Sequence, residues 1–251
     1  MNIYKAKVCY KGSAYSGWQI QKSEKTIQGE INKALTQICK SDDVKSVGSG
    51  RTDAGVHANG QVFRMQIPLQ IEPNSLTKAL NSLLPTDIRI LETNCCDETF
   101  HPIHSALSKD YHYLFTNLET ANPLLKDLMH NTSYQLDTGL MEKACQCFIG
   151  KHDFVNFFCT GTPVNSTVRE IFKMGLSQHT SEPYGVVFYK IEVRGSGFLK
   201  QMVRLMAGAV LAVGSKKITT SDLEKALSQK MDKKLSAVAP ACGLYLNHVE
   251  Y

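Results

Sequence analysis

A chain of 251 residues, 43% hydrophobic and 20% charged, has the composition of a soluble folded protein, which excludes a disordered tail, a fibre and a miniprotein dependent on disulfides. Its 28 basic and 23 acidic side chains leave a net charge of +5, which permits a polyanionic partner without demanding one. No stretch approaches the ~20 apolar residues of a membrane span, and the start MNIYKAKVCYKG lacks the apolar segment of a signal peptide. In chain order, residues 3–10 alternate as a half-buried strand should, with Tyr4, Ala6, Val8 and Tyr10 on one side and Ile3, Lys5, Lys7 and Cys9 on the other. A turn with Gly12 and Gly17 follows. Thr26 is then placed to cap a helix to about Cys39, with Ile27, Ile31, Ala34, Leu35 and Ile38 at helical spacing.

A glycine-rich segment, residues 47–60, leads to a strand predicted over 61–67. A helix from Asn74 to before Pro85 and strands at about 87–94 and 110–116 complete a first half. The second half begins with a helix predicted from Thr138 to Phe148. Strands follow at about 168–178 and 184–194, joined by hairpin chemistry at Ser181, Glu182 and Pro183. Helices from Phe198 to Val213 and near 220–229 precede a last strand from Gly243 to His248. The expectation is an α+β fold of two similar halves, 1–117 and 118–251, with mainly antiparallel sheets and helices on one face.

Two inventories narrow the chemistry. Only Arg51, Arg64, Arg89, Arg169, Arg194 and Arg204 among the 28 basic residues are arginines, and no block of like charge marks a basic tail, so any nucleic-acid surface must be assembled by folding. The eight cysteines contain no CxxC pair, which argues for reduced, mostly buried thiols rather than a zinc site. The eight histidines hold one close pair, His101 and His104, and no HExxH, which disfavours a metal hydrolase.

Three islands could carry function. Residues 48–57, GSGRTDAGVH, surround Arg51 and Asp53 with glycines; this is either a ligand-approaching loop or a tight turn with a weak surface ion pair, and it is not a phosphate-binding P-loop. Residues 108–115, SKDYHYLF, put Tyr111 and Tyr113 on one strand face, either as strand core or as a platform for stacking a base. Residues 195–214 form an apolar helix pattern, Phe198, Met202, Leu205, Met206, Ala209 and Val213, interrupted by Arg204. That arginine either snorkels at the helix edge or pairs with a carboxylate elsewhere in the fold.

Taken in this order, the islands resemble the tRNA pseudouridine synthase A (TruA) family over nearly the whole chain. The carrying residues are YKGSAYSGWQ at 10–19, GRTDAGVHA at 50–58, Phe100 and His101, KDYHY at 109–113, GKHDF at 150–154, Met202 to Arg204 with Gly208, and GLYL at 243–246. The resemblance implies that Asp53 is the catalytic aspartate, that Tyr111 packs against the target uracil, and that Arg204 is the basic partner of the aspartate. It also implies that Arg51 engages the target base, and Phe198 is a further candidate for substrate binding. A departure stands at Ser166, where the family often has arginine before Thr167.

By the same resemblance the fold is two α/β halves around a basic cleft, and the partner is the anticodon stem-loop of tRNA, modified at uridines 38, 39 and 40. A cytoplasmic homodimer is implied, with no membrane association and no metal or organic cofactor. Converting uridine to pseudouridine changes neither redox state nor atom count, so a carboxylate near the ribose and a pocket that retains uracil suffice. Two alternatives are a paralogue that modifies another RNA site and a tRNA-binding protein without catalysis on the same scaffold.

Overall fold

The computed structural model describes residues 1–159, 161, 164–182 and 184–251. It groups them into two compact units, Met1–Leu107 with Tyr245–Tyr251, and Ser108–Leu244.

The first unit is a sheet backed by two helices. Its strands are β1 (Asn2–Tyr10), β2 (Lys45–Gly48), β3 (His57–Ile67), β4 (Ile88–Cys95) and the returning tail β10 (Leu244–Glu250), and its helices are α1 (Ile27–Cys39) and α2 (Pro73–Leu83). The order is β4, β1, β3, β10, with β2 also on β3. All pairs but one are antiparallel; β10 runs parallel to β3, Tyr245 opposite His57 and Leu246 opposite Ala58. As the alternation requires, Tyr4, Ala6, Val8 and Tyr10 are buried, joined in the core by Phe63, Met65 and Ile67 of β3. Ile27, Ile31 and Leu35 of α1 and Leu76 and Leu80 of α2 are 0% exposed, each worth roughly 1.5–3 kcal/mol on burial. Strand β3 starts four residues before the predicted Gln61, because pairing with β1 continues past a bulge to Tyr10 opposite Ala58.

The second unit has the main strand order β5 (Ser108–Thr116), β9 (Val186–Gly195), β8 (Val168–Ser181), β7 (Gly150–Asp153), with the two-residue β6 (His130–Asn131) parallel to β5. The expected boundary at 117 thus gives way to one at 107, because β5 pairs along seven residues with β9. Helices α3 (Thr138–Cys147), α4 (Met202–Gly214) and α5 (Thr220–Ser228) complete this unit. Strands β8 and β9 are antiparallel neighbours as anticipated, with Ser181 opposite Val186; Pro183 of the expected turn lies outside the described residues.

Helix α4 begins at Met202, four residues later than the predicted Phe198. Gln201 at its N-cap has a left-handed φ of 61°, a conformation that stops the helix from extending toward Phe198. Of the eight free cysteines only Cys39 and Cys145 are buried, and Cys95 is exposed, so "mostly buried" is corrected: the others sit at strand ends, on helix rims or in loops. Among the described residues, no helix is long and apolar enough to cross a membrane.

Thr26 is the predicted cap of α1: its side chain accepts from the Gly29 N–H at 3.2 Å. Thr26→Ala is expected to cost about 1 kcal/mol. In a chain of this size that is a fall of roughly 2–4 °C in Tm, measured by thermal denaturation followed by circular dichroism.

Candidate active site

In the first unit, the segment between β2 and β3 is held by its own buried polar groups. Ser49 donates its N–H to the Val62 carbonyl at 2.7 Å and its hydroxyl to Gln61, whose amide donates in turn to the Gly50 carbonyl at 2.9 Å. The Gly12 N–H donates to Nδ1 of His57 at 3.0 Å, which makes that nitrogen the acceptor, and the His57 ring stacks on Tyr245 at 4.6 Å. The turn at Gly12 can sit this close only without a side chain, since a Cβ there would lie 1.9 Å from the Val56 carbonyl oxygen.

Thr52 is the pivot. It is 7% exposed, its hydroxyl meets the Tyr10 hydroxyl at 2.8 Å in the core, and its carbonyl accepts from the Trp18 N–H at 3.1 Å. Burial pushes the Tyr10 phenol up, so it stays a neutral hydroxyl. With Thr52 pinned inward, its neighbours take the outward positions, Arg51 exposed and Asp53 half-buried. The glycines of the loop advertised this segment in the sequence; its anchors Thr52 and Tyr10 went unnoticed, because neither carries a chemistry that singles it out.

In the second unit, β5 turns Lys109, Tyr111, Tyr113 and Phe115 to one face. Tyr113 is 0% exposed and belongs to the core, whereas Tyr111 keeps 8% exposure, so of the two tyrosines only Tyr111 suits a platform. Phe198, released from the helix, meets Tyr111 edge-on with ring centroids 5.1 Å apart at 78°. Arg204 lies in the first turn of α4, half-buried, and its Nε donates to the Ala239 carbonyl at 2.8 Å. Two other arginines do structural work: Arg89 donates to the carbonyls of Pro85 and Ile88, and Arg169 to those of Ser166 and Val168. Ser166, the departure from the family pattern, also accepts from the Val168 N–H through its hydroxyl at 3.1 Å.

Lys109 escaped the sequence reading, although its position two residues before Tyr111 puts it on the same face. Burial pushes its ammonium down to about 8. In the unfolded chain an ordinary lysine holds its proton to ~10.4, so between the two values the unfolded state binds more protons and stability rises with pH; below about 8 the full burial cost is present. Lys109→Met is therefore expected to be more stable than the parent at about pH 7, with the difference shrinking toward about pH 10, as checked by urea titrations across that range.

Among the described residues, no cluster of three or more His, Cys, Asp or Glu is placed to hold a metal. The sequence model of a family described as "tRNA pseudouridine synthase" matches residues 6–103 and 144–251. The chain is 38% identical over 248 residues to tRNA pseudouridine synthase A of Bacillus pumilus, covering 98% of each protein. It is 35% identical over 252 residues to that of Listeria welshimeri and 36% identical over 253 residues to that of Lacticaseibacillus casei, covering 100% of each. With a family model matched over residues 6–103 and 144–251 and relatives aligned over 98–100% of the chain, the chain belongs to the tRNA pseudouridine synthase A (TruA) family, isomerases that act on tRNA.

Proposed function

We propose that this chain isomerises uridines 38, 39 and 40 on the 3′ side of the tRNA anticodon stem-loop, with Asp53 as the essential carboxylate. The observation that carries this reading is the mounting of Asp53 on a buried anchor, Thr52 against Tyr10 and Trp18, within residues 6–103 that the family model matches. In the reaction the N1–C1′ bond breaks, the detached uracil turns, C5 bonds to C1′, and the C5 proton is lost as N1 gains one. Asp53 acts at the ribose, as nucleophile at C1′ or as the base that removes the C2′ proton; both roles need it ionised.

Arg204 takes the part of the family's basic residue, a part suited to a guanidinium because its planar fork matches a carboxylate. Reaching C1′ requires extracting the nucleotide from its stack, at a few kcal/mol. Tyr111, backed by Phe198, takes one face of the extracted uracil, and Arg51 engages the target nucleotide. A stacked aromatic of this kind is worth about 1–3 kcal/mol per base. No metal or organic cofactor is needed, since the substrate is rearranged without redox change. The lysines grip the RNA backbone, in a cytoplasmic homodimer whose second subunit extends the grip.

Asp53→Asn and Asp53→Ala are expected to abolish pseudouridine formation while largely sparing tRNA binding. Carbodiimide mapping with primer extension on treated tRNA reads both the loss and the positions modified; turnover above a few per cent in either variant overturns the role of Asp53, and product at other sites relocates the substrate. Binding is expected to weaken steeply as salt is raised, with log Kd linear in log salt. Filter binding between low and physiological salt checks this, and a flat line contradicts the phosphate-led grip.

A further inference from the structure

Residues 236–240 have no regular secondary structure and continue into a single 3-10 turn, Ala241–Gly243, yet they are tied at both ends. At one end they lie on α4. The Ala239 N–H donates to the Arg204 carbonyl at 3.1 Å, the Arg204 Nε donates back to the Ala239 carbonyl at 2.8 Å, and the Ser236 hydroxyl reaches the Leu205 carbonyl at 3.4 Å. The segment comes this near because position 208, one turn beyond Arg204, is glycine: a Cβ there would stand 2.1 Å from the Ala237 carbonyl oxygen. At the other end, a Cβ on Gly243 would lie 2.6 Å from the Leu114 carbonyl oxygen and 2.9 Å from the Tyr113 ring. That end is seated on β5, the strand of Tyr111.

We infer that residues 236–243 are a positioning strap that fixes the plane of the Arg204 guanidinium relative to Tyr111, with Gly208 as the positioning residue that lets the strap seat. The inference rests on the catalytic reading of Arg204 given above. Its logic is geometric. An arginine side chain has four rotatable bonds beyond Cα, and a hydrogen bond at Nε fixes the plane in which its other donors lie. Here the acceptor is a backbone carbonyl whose own N–H is bonded to the carbonyl of the same arginine, so the acceptor cannot shift without breaking a second bond. Adding one methyl group at 208 forces the Ala237 carbonyl away by more than an ångström and carries Ala239 with it. Displacement on that scale at a charge-stabilising group costs about 100-fold in rate.

The test uses the full chain. Gly208→Ala is expected to lower kcat about 100-fold with KM and tRNA affinity changed less than about threefold, while Gly175→Ala, where a Cβ meets nothing within 4 Å, behaves as wild type. Ala239→Pro, which removes the N–H that donates to Arg204 and fixes φ at that position, is expected to show the same split and keeps the test open if Gly208→Ala fails to fold. The decisive measurement is a double-mutant cycle with Arg204→Lys, which cannot make the Nε bond: Gly208→Ala added to that background should cost less than about threefold further. Full multiplication of the two losses, or a fall in tRNA affinity that accounts for the lost activity, overturns the strap. Wild-type turnover by Arg204→Lys and Arg204→Ala alone would instead remove the catalytic reading of Arg204, a distinguishable failure.

Discussion

The hydrogen bond between the hydroxyls of Tyr10 and Thr52, 2.8 Å long and buried, is the constraint on which the first unit's GRTDAGVHA loop depends. Neither hydroxyl has access to bulk water, so each must find a partner inside the protein or bear a desolvation penalty of about 1–3 kcal/mol. Their mutual bond meets that demand with the Thr52 side chain directed into the core. That fixes the alternation of the loop: Thr52 inward, Arg51 and Asp53 outward. A loop rich in glycine would otherwise lose more backbone entropy on ordering than any other sequence of its length. Here that cost is met by hydrogen bonds to the flanking strands and the turn at Gly12, through Ser49, Gly50, Thr52 and His57.

The second unit solves a different problem. A guanidinium on a helix whose other faces are apolar cannot be buried alone, and Arg204 is half-buried with its Nε on a backbone carbonyl. The neighbouring residues Met202, Val203, Leu205, Met206 and Ala207 are all buried, so α4 is anchored by burial on either side of the arginine and cannot turn to expose it. The position of Arg204 is therefore a consequence of the core, and its orientation a consequence of the strap. Tyr111 is fixed in the same manner, by seven residues of pairing between β5 and β9 and by the edge of Phe198.

What the sequence disclosed follows the range of the forces involved. Alternation in β1 and the three-four spacing in α1 are local signals, and both elements formed with the expected faces. The cap at Thr26 is equally local. The two-residue β6 and four-residue β2 and β7 have no such signature, since each exists because a longer strand offers it an edge. Phe198 fitted the helical period and still lies outside the helix, because the left-handed Gln201 overrides the pattern. The GRTDAGVHA loop stood out by its glycine density, whereas Tyr111 was set apart from Tyr113 only by the family resemblance. Thr52, Lys109 and Gly208 stood in the sequence only as motif letters, since the part a threonine, a lysine or a helix glycine plays shows only when burial and the approach of a distant backbone are known.

The scarcity of arginine takes on a physical meaning in this light. Lysine is a point charge on a flexible stem, adequate for a phosphate backbone that is read by charge. Arginine offers a planar fork, and this chain places its arginines where a plane is needed. Arg89 and Arg169 each span more than one carbonyl, Arg194 reaches the Ser108 hydroxyl at 3.0 Å at the start of β5, and Arg204 is clamped at Nε. At the first two sites a single guanidinium nitrogen bonds two carbonyls of the neighbouring backbone, at the start of β4 and of β8. At Arg204 the plane fixes the direction of a charge. A lysine there would keep the charge and lose the Nε bond to the Ala239 carbonyl that sets its direction.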